Sequence, residues 1–234
     1  MIELLWTYTS NDLLSNSQIY FDSGPSCCQR FHTLFRPQCK IMLIVCAVLA
    51  FASFLPLVEN AGSSKKGIGA AAATLKCDDF RVLNNISWWY DWTQHFQQLT
   101  NHCNASNLHA PEFVPMVRVL HSNETAQNIH IPPGSHFVLG YNEPDLVTLN
   151  NMTPQEAAMY WPMVEKAAVG IPLVAPVPYK HDFVWLDQFF QHCNGCRIDY
   201  VAAHTYFCNA NQVMAHLKAL YNRFHKNVCL TEFA

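Results

Sequence analysis

The chain has 234 residues, of which 50% are hydrophobic and 13% charged, with a formal charge of -3. That length and apolar content suit one domain with a full core. The lysines and arginines after residue 61 are scattered, so the sequence offers no electrostatic footprint for nucleic acid.

Residues 1–41 contain Cys27, Cys28 and Cys39 among polar residues and show no convincing period. They read as a disordered leader or an over-extended gene model. The block from Ile41 to Val58 carries no formal charge; Arg30, Arg36 and Lys40 precede it and small residues follow. A positive flank, an apolar block and small residues behind it are the parts of a secretory signal. Translation from Met42 and a cut near Ala61 give a signal peptide over residues 42–61. The alternative is an uncleaved signal anchor, and only in that case would the chain hold to a membrane. Either way, residues 62–234 are exported and fold as one domain.

In that domain, strand-like and helix-like pieces alternate. Residues 66–73 form a small-residue run and residues 85–92 an aromatic one; 112–120, 137–140 and 171–177 are further strand candidates. Thr153 caps a helix with Pro154 at its first position and Glu156 completing a capping box. Asp182 caps a second helix, and an apolar stripe from Val213 to Phe224 marks a third. Residues 198–206 and 227–234 are the sixth and seventh strand candidates. Strands separated by helices imply parallel βαβ units. Seven such strands fit an α/β fold of the (β/α)₈ barrel kind that lacks its last β/α unit.

Export is consistent with four Asn-x-Ser/Thr sequons, at Asn85, Asn104, Asn123 and Asn151. The six cysteines after the signal, Cys77, Cys103, Cys193, Cys196, Cys208 and Cys229, read as up to three disulfides. His192-Cys193-Asn-Gly-Cys196, with His204 and Cys208 downstream, also has zinc-like spacing. A single Cys-x-x-Cys pair in an oxidising compartment favours disulfides, and no metal or cofactor is expected.

The chemistry concentrates at two strand ends. The run Phe137-Val-Leu-Gly-Tyr-Asn-Glu-Pro-Asp145 is apolar until Asn142 and Glu143, and Pro144 stops the strand there. Glu232 ends the seventh candidate in the same way. Two glutamates at carboxyl-terminal strand ends can face one barrel mouth, where α/β folds keep their chemistry. Such a pair suits a retaining glycosidase, whose acid and nucleophile stand about 5–5.5 Å apart. The acid must hold its proton near neutral pH, which burial and a neighbouring carboxylate can achieve. Asn142 is placed to hydrogen-bond a sugar 2-hydroxyl.

These residues resemble glycoside hydrolase family 128, the Asl1-like group of β-1,3-glucanases. The resemblance rests on Asn142-Glu143-Pro144 and Thr231-Glu232-Phe233-Ala234. Lys65-Lys-Gly-Ile68, Trp88-Trp-Tyr-Asp-Trp92, Glu112-Phe-Val-Pro-Met116, Met152-Thr-Pro-Gln-Glu-Ala-Ala158, Trp185-Leu-Asp-Gln-Phe-Phe190 and Cys196-Arg-Ile-Asp-Tyr-Val-Ala-Ala-His204 fall in the same order. It implies a TIM barrel, a β-1,3-glucan substrate, Glu143 as acid/base and Glu232 as nucleophile. It further implies that His204 and Tyr206 line the floor, and that Trp88, Tyr90 and Trp92 stack on sugar rings. The chain departs from the family pattern at Asp91, Thr205 and Val117-Arg118-Val119. The missing eighth unit would leave the first and seventh strands as open edges. A poorly folded, weakly active monomer is the expectation for the chain as written. Two other readings compete with the enzyme: a non-catalytic glucan-binding protein with the same cleft, and a structural surface glycoprotein.

Overall fold

The computed structural model describes residues 2–8 as backbone, and residues 65–71, 75–76, 78–83, 85–95, 111–121 and 125–233 in full. The apolar block at 41–58, the sequons at Asn104 and Asn123, and Cys77 and Cys103 lie outside them. No helix among the described residues is long and apolar enough to cross a membrane.

Among the described residues there are six strands: β1 (Ile2–Tyr8), β2 (Lys66–Ala70), β3 (Trp88–Tyr90), β4 (Glu112–Phe113), β5 (Tyr200–Thr205) and β6 (Asn227–Phe233). The helices are α1 (Asp79–Val82), α2 (Pro154–Ala167), α3 (Val184–His192) and α4 (Ala210–Phe224). Helix α2 starts as its sequence predicts: the Thr153 hydroxyl accepts the Glu156 N–H, and the Glu156 side chain returns to the Thr153 N–H. Ahead of α3, Asp182 accepts the Val184 N–H at 3.1 Å, although Phe183 takes the cap position in a left-handed conformation. Asn209 caps α4.

The strands form one sheet in the order β4-β3-β2-β1-β6-β5. β2, β3 and β4 run parallel to one another, as do β5 and β6. The fourth and fifth strand candidates appear only as parallel bridges, Met116 to Leu139, Val138 to Leu173, Asn142 to Val177 and Val174 to Tyr200. The prolines there have no N–H to donate, so a regular ladder cannot extend through them. Gly140 fits the close approach: a Cβ on it would lie 2.6 Å from the Val174 carbonyl oxygen. Through these bridges the pairing returns from β4 to β5 and closes on itself.

The expectation of open edges at the first and seventh strands is corrected. β1 stands between β2 and β6 and pairs antiparallel with both, Trp6 meeting Lys66 on one side and Leu230 on the other. Part of the span read as a leader is therefore strand.

Two apolar layers flank the sheet. Trp88, Tyr90, Met116, Leu139, Val174, Ala202 and Cys229 pack together on one face. Val138, Trp161, Leu173, Phe189, Val201, Leu217, Val228 and Leu230 join the helices on the other. The cysteines divide. Cys193 and Cys196 are bonded to each other and Cys208 is also disulfide-bonded, which removes the zinc reading of that spacing. Cys229 is a buried free thiol that burial pushes up to about 12, so the six cysteines do not all pair.

Candidate active site

Strict alternation would hide Glu232. On β6, Cys229 faces the inner layer while Val228 and Leu230 face the helices. By a period of two, residue 232 would follow Leu230 outward. The β5–β6 register shifts instead: Ala203 pairs with Leu230, and His204 with Glu232. Thr231 is the extra residue of this bulge, which re-aims the strand end. Its hydroxyl bonds the Ala203 carbonyl and its own carbonyl accepts the Tyr90 hydroxyl at 2.9 Å.

Glu143 reaches the same place by a different distortion. Its N–H bonds the Val177 carbonyl at 2.8 Å, and its φ of 41° puts it in the left-handed region. Such a conformation ahead of a proline is disfavoured, costs on the order of 1–3 kcal/mol and concentrates at functional sites. It lets Asn142 and Glu143, neighbours in sequence, line one cleft together.

The cleft has a volume of about 360 Å³ and is lined by Asp91, Trp92, Arg118, Asn142, Glu143, Leu149 and Glu232. His204 lies wholly buried between the two glutamates. Its Nδ1 is 3.1 Å from Glu143 Oε1, and its Nε2 is 3.3 Å from Glu232 Oε1, an ion-pair distance without hydrogen-bond alignment. One atom from each of Glu143, His204 and Glu232 falls within 4.8 Å of the others, a spacing that could also hold a metal ion. Glu232 is the more tightly held. Trp92 Nε1 donates to its Oε1 at 2.8 Å, the Tyr206 hydroxyl donates to its Oε2, and the Tyr90 hydroxyl stands 3.5 Å from Oε1. Asn142 is 3% exposed, and its Oδ1 has no hydrogen-bond partner among the described residues.

Of the residues singled out in the sequence, Glu143, Glu232, Asn142, His204, Tyr206, Tyr90 and Trp92 come together. Trp88 does not: it is 2% exposed, packs edge-on against Phe137 in the inner layer and leaves no face for a sugar. Tyr90 is fully buried and carries its hydroxyl to Glu232 rather than presenting a ring to the cleft. Arg118 and Leu149 line the cleft without having been singled out as site residues. Arg118 was legible only as a charged residue at a strand end.

Residues 67–234 match the family described as Glycosyl hydrolase catalytic core. The chain belongs to that glycosyl hydrolase family. Its Asl1-like, family 128 character, read from the motifs, holds in the comparisons. Alkali-sensitive linkage protein 1 of Schizosaccharomyces pombe is 27% identical over 179 residues, 74% of this chain. The match takes in only 32% of that protein, so the chain spans about a third of its length. A family 128, subgroup II endo-β-1,3-glucanase from Sorangium cellulosum is 33% identical with a TM-score of 0.62, covering 71% of this chain and 73% of that one. A subgroup I endo-β-1,3-glucanase variant from Amycolatopsis mediterranei, solved with laminaritriose and laminaribiose, is 28% identical with a TM-score of 0.59, covering 74% and 72%. Among glycosyl hydrolases, a buried pair of glutamates beside an open cleft is the feature to interpret chemically.

Proposed function

We propose that this chain is a retaining β-1,3-glucanase in which Glu143 is the acid/base and Glu232 the nucleophile. The observation that carries it is the meeting of the two carboxylates around His204, with atoms within 4.8 Å of each other. An inverting pair needs about 6.5–9.5 Å to admit a water, whereas a retaining pair stands at about 5–5.5 Å. The β-1,3-glucan specificity is carried from the family 128 neighbours, the two reported above being endo-β-1,3-glucanases.

The environments assign the roles. Glu232 receives donors on both oxygens, from Trp92 and Tyr206, which orient its carboxylate for attack on the anomeric carbon. Glu143 has no such clamp and is free to pass its proton to the departing glycosidic oxygen. In the second half, Glu143 takes a proton from water, and the water oxygen displaces Glu232 from the anomeric carbon. His204 Nδ1 shares a hydrogen bond with Glu143 and orients it, while its Nε2 stands near Glu232 without bonding it. Asn142 Oδ1 is a buried acceptor suited to a sugar hydroxyl.

The same reading takes the fold as a (β/α)₈-type barrel and the setting as exported and acting on cell-wall glucan; β1 fills the eighth place in the full-length chain, and a cut near Ala61 on export would remove it. Exposed sequon asparagines at Asn85 and Asn151 and the disulfides support export.

Replacement of either glutamate by glutamine should lower kcat on laminari-oligosaccharides by about 10²–10⁴-fold. Azide distinguishes the roles. With an aryl β-laminaribioside, Glu143→Ala should yield the β-glycosyl azide and Glu232→Ala the α-anomer. The opposite pairing of products, or wild-type activity in both glutamine variants, would refute the assignment.

A further inference from the structure

Four charged side chains line the cleft: Asp91, Arg118, Glu143 and Glu232. Each carboxylate already has a protein partner. Asp91 accepts the Thr93 hydroxyl at 2.6 Å and the Thr93 N–H at 3.1 Å. Glu143 faces His204, and Glu232 is held by Trp92 and Tyr206. The side chain of Arg118 has no hydrogen bond or ion pair among the described residues. It is exposed, and it is the single cation in the lining. Its backbone is anchored beside the site, because its carbonyl accepts the Asn142 N–H at 3.0 Å, next to Glu143 in the chain.

A guanidinium stays charged at any working pH and presents its donors as a planar fork that matches a carboxylate. While the cleft is empty, water solvates it. A neutral sugar laid over it would remove that water without supplying a countercharge, an unfavourable exchange. A sugar bearing a carboxylate would give the guanidinium a countercharge and fill the fork with two bonds. Asp91, in the same lining, does not pair with Arg118: its Oδ1 accepts both bonds from Thr93, and burial raises its carboxyl pKa.

We propose that Arg118 is a specificity-determining residue that selects glucan chains carrying a carboxylate substituent at the sugar bound beside Glu143. The proposal rests on the glucanase reading and narrows its substrate class to acidic or partly oxidised β-1,3-glucan. It involves no change in the bond-breaking steps.

The test compares a neutral laminari-oligosaccharide with the same oligosaccharide oxidised to carboxylates at C6. The quantity read is the ratio of kcat/KM on the carboxylated chain to kcat/KM on the neutral one. In Arg118→Gln that ratio should fall about tenfold or more, as expected for losing a charge-assisted pair. Raising the ionic strength should lower the wild-type ratio too. Equal losses on both substrates, or an unchanged ratio, would overturn the role of Arg118 while leaving β-1,3-glucanase activity intact. Binding of the two chains to Glu143→Gln protein, followed by indole fluorescence, gives the ratio without turnover. If the wild type cleaves neither chain and Glu143→Gln binds neither, this inference and the glucanase reading fall together.

Discussion

Glu143 and Glu232 owe their meeting to backbone irregularities at single residues: a positive φ at Glu143 and one extra residue, Thr231, opposite β5. Trp92, whose φ is 61°, is a second residue in the left-handed region at the same site, and its indole N–H ends on Glu232. A different residue-scale feature lies behind this wall. His216 packs against His181, Phe183 and Phe207, with ring centroids 5.2, 5.0 and 5.9 Å away. Burial, aided by the neighbouring His181, lowers its pKa from 6.5 to about 4. The sign of the consequence is fixed. Below pH 6.5 the unfolded chain takes up a proton that the folded one refuses, so stability declines progressively down to about pH 4. Melting temperatures measured across that window should fall for the wild type and fall less steeply for His216→Gln. Parallel slopes for the two proteins would rule out this source of acid sensitivity.

At the scale of elements, α2 depends on its cap. Thr153→Ala removes the hydroxyl that accepts the Glu156 N–H and should cost about 1 kcal/mol, a drop of roughly 2–4 °C in Tm. No change on calorimetry would show that tertiary packing alone sets that helix end. This helix was legible because Thr153, Pro154 and Glu156 act on one another within a single turn. Helices α2, α3 and α4 and strands β2, β3, β5 and β6 were legible for similar reasons, each being a local pattern bounded by local breakers. The fourth and fifth strands were legible as apolar runs but not as bridges, because proline effects depend on which neighbour the missing N–H would have faced. The bulge left no trace in the sequence. Thr231 and Glu232 read as consecutive strand residues, and only the register against β5 shows that Thr231 is surplus. Both glutamates were therefore found by their place at strand ends, and their true orientation required the fold. Trp88 was misjudged as a platform because an aromatic cluster does not reveal which ring points inward.

For the whole molecule, the decisive pairing is that of β1. Its seven residues follow no period that sets them apart, and their partners, β2 and β6, lie far away in the chain. Thr7 pairs with Cys229, three residues before Glu232. Thr7→Pro removes one backbone donor from the middle of the sheet and should cost about 1–3 kcal/mol, with activity lost in step with stability. Full activity and an unaltered Tm in that variant would show that β6 holds its place without β1. The arrangement also carries a temporal meaning. A chain emerging from the ribosome has Glu143, Asn142 and Arg118 in hand long before β6 exists, and β1 must wait for a neighbour made much later. Contacts between such distant segments close slowly, since a large loop must be ordered before they repay it. Glu232 thus arrives together with the seam that completes the ring, and its meeting with Glu143 is assembled only after these distant segments have closed on each other.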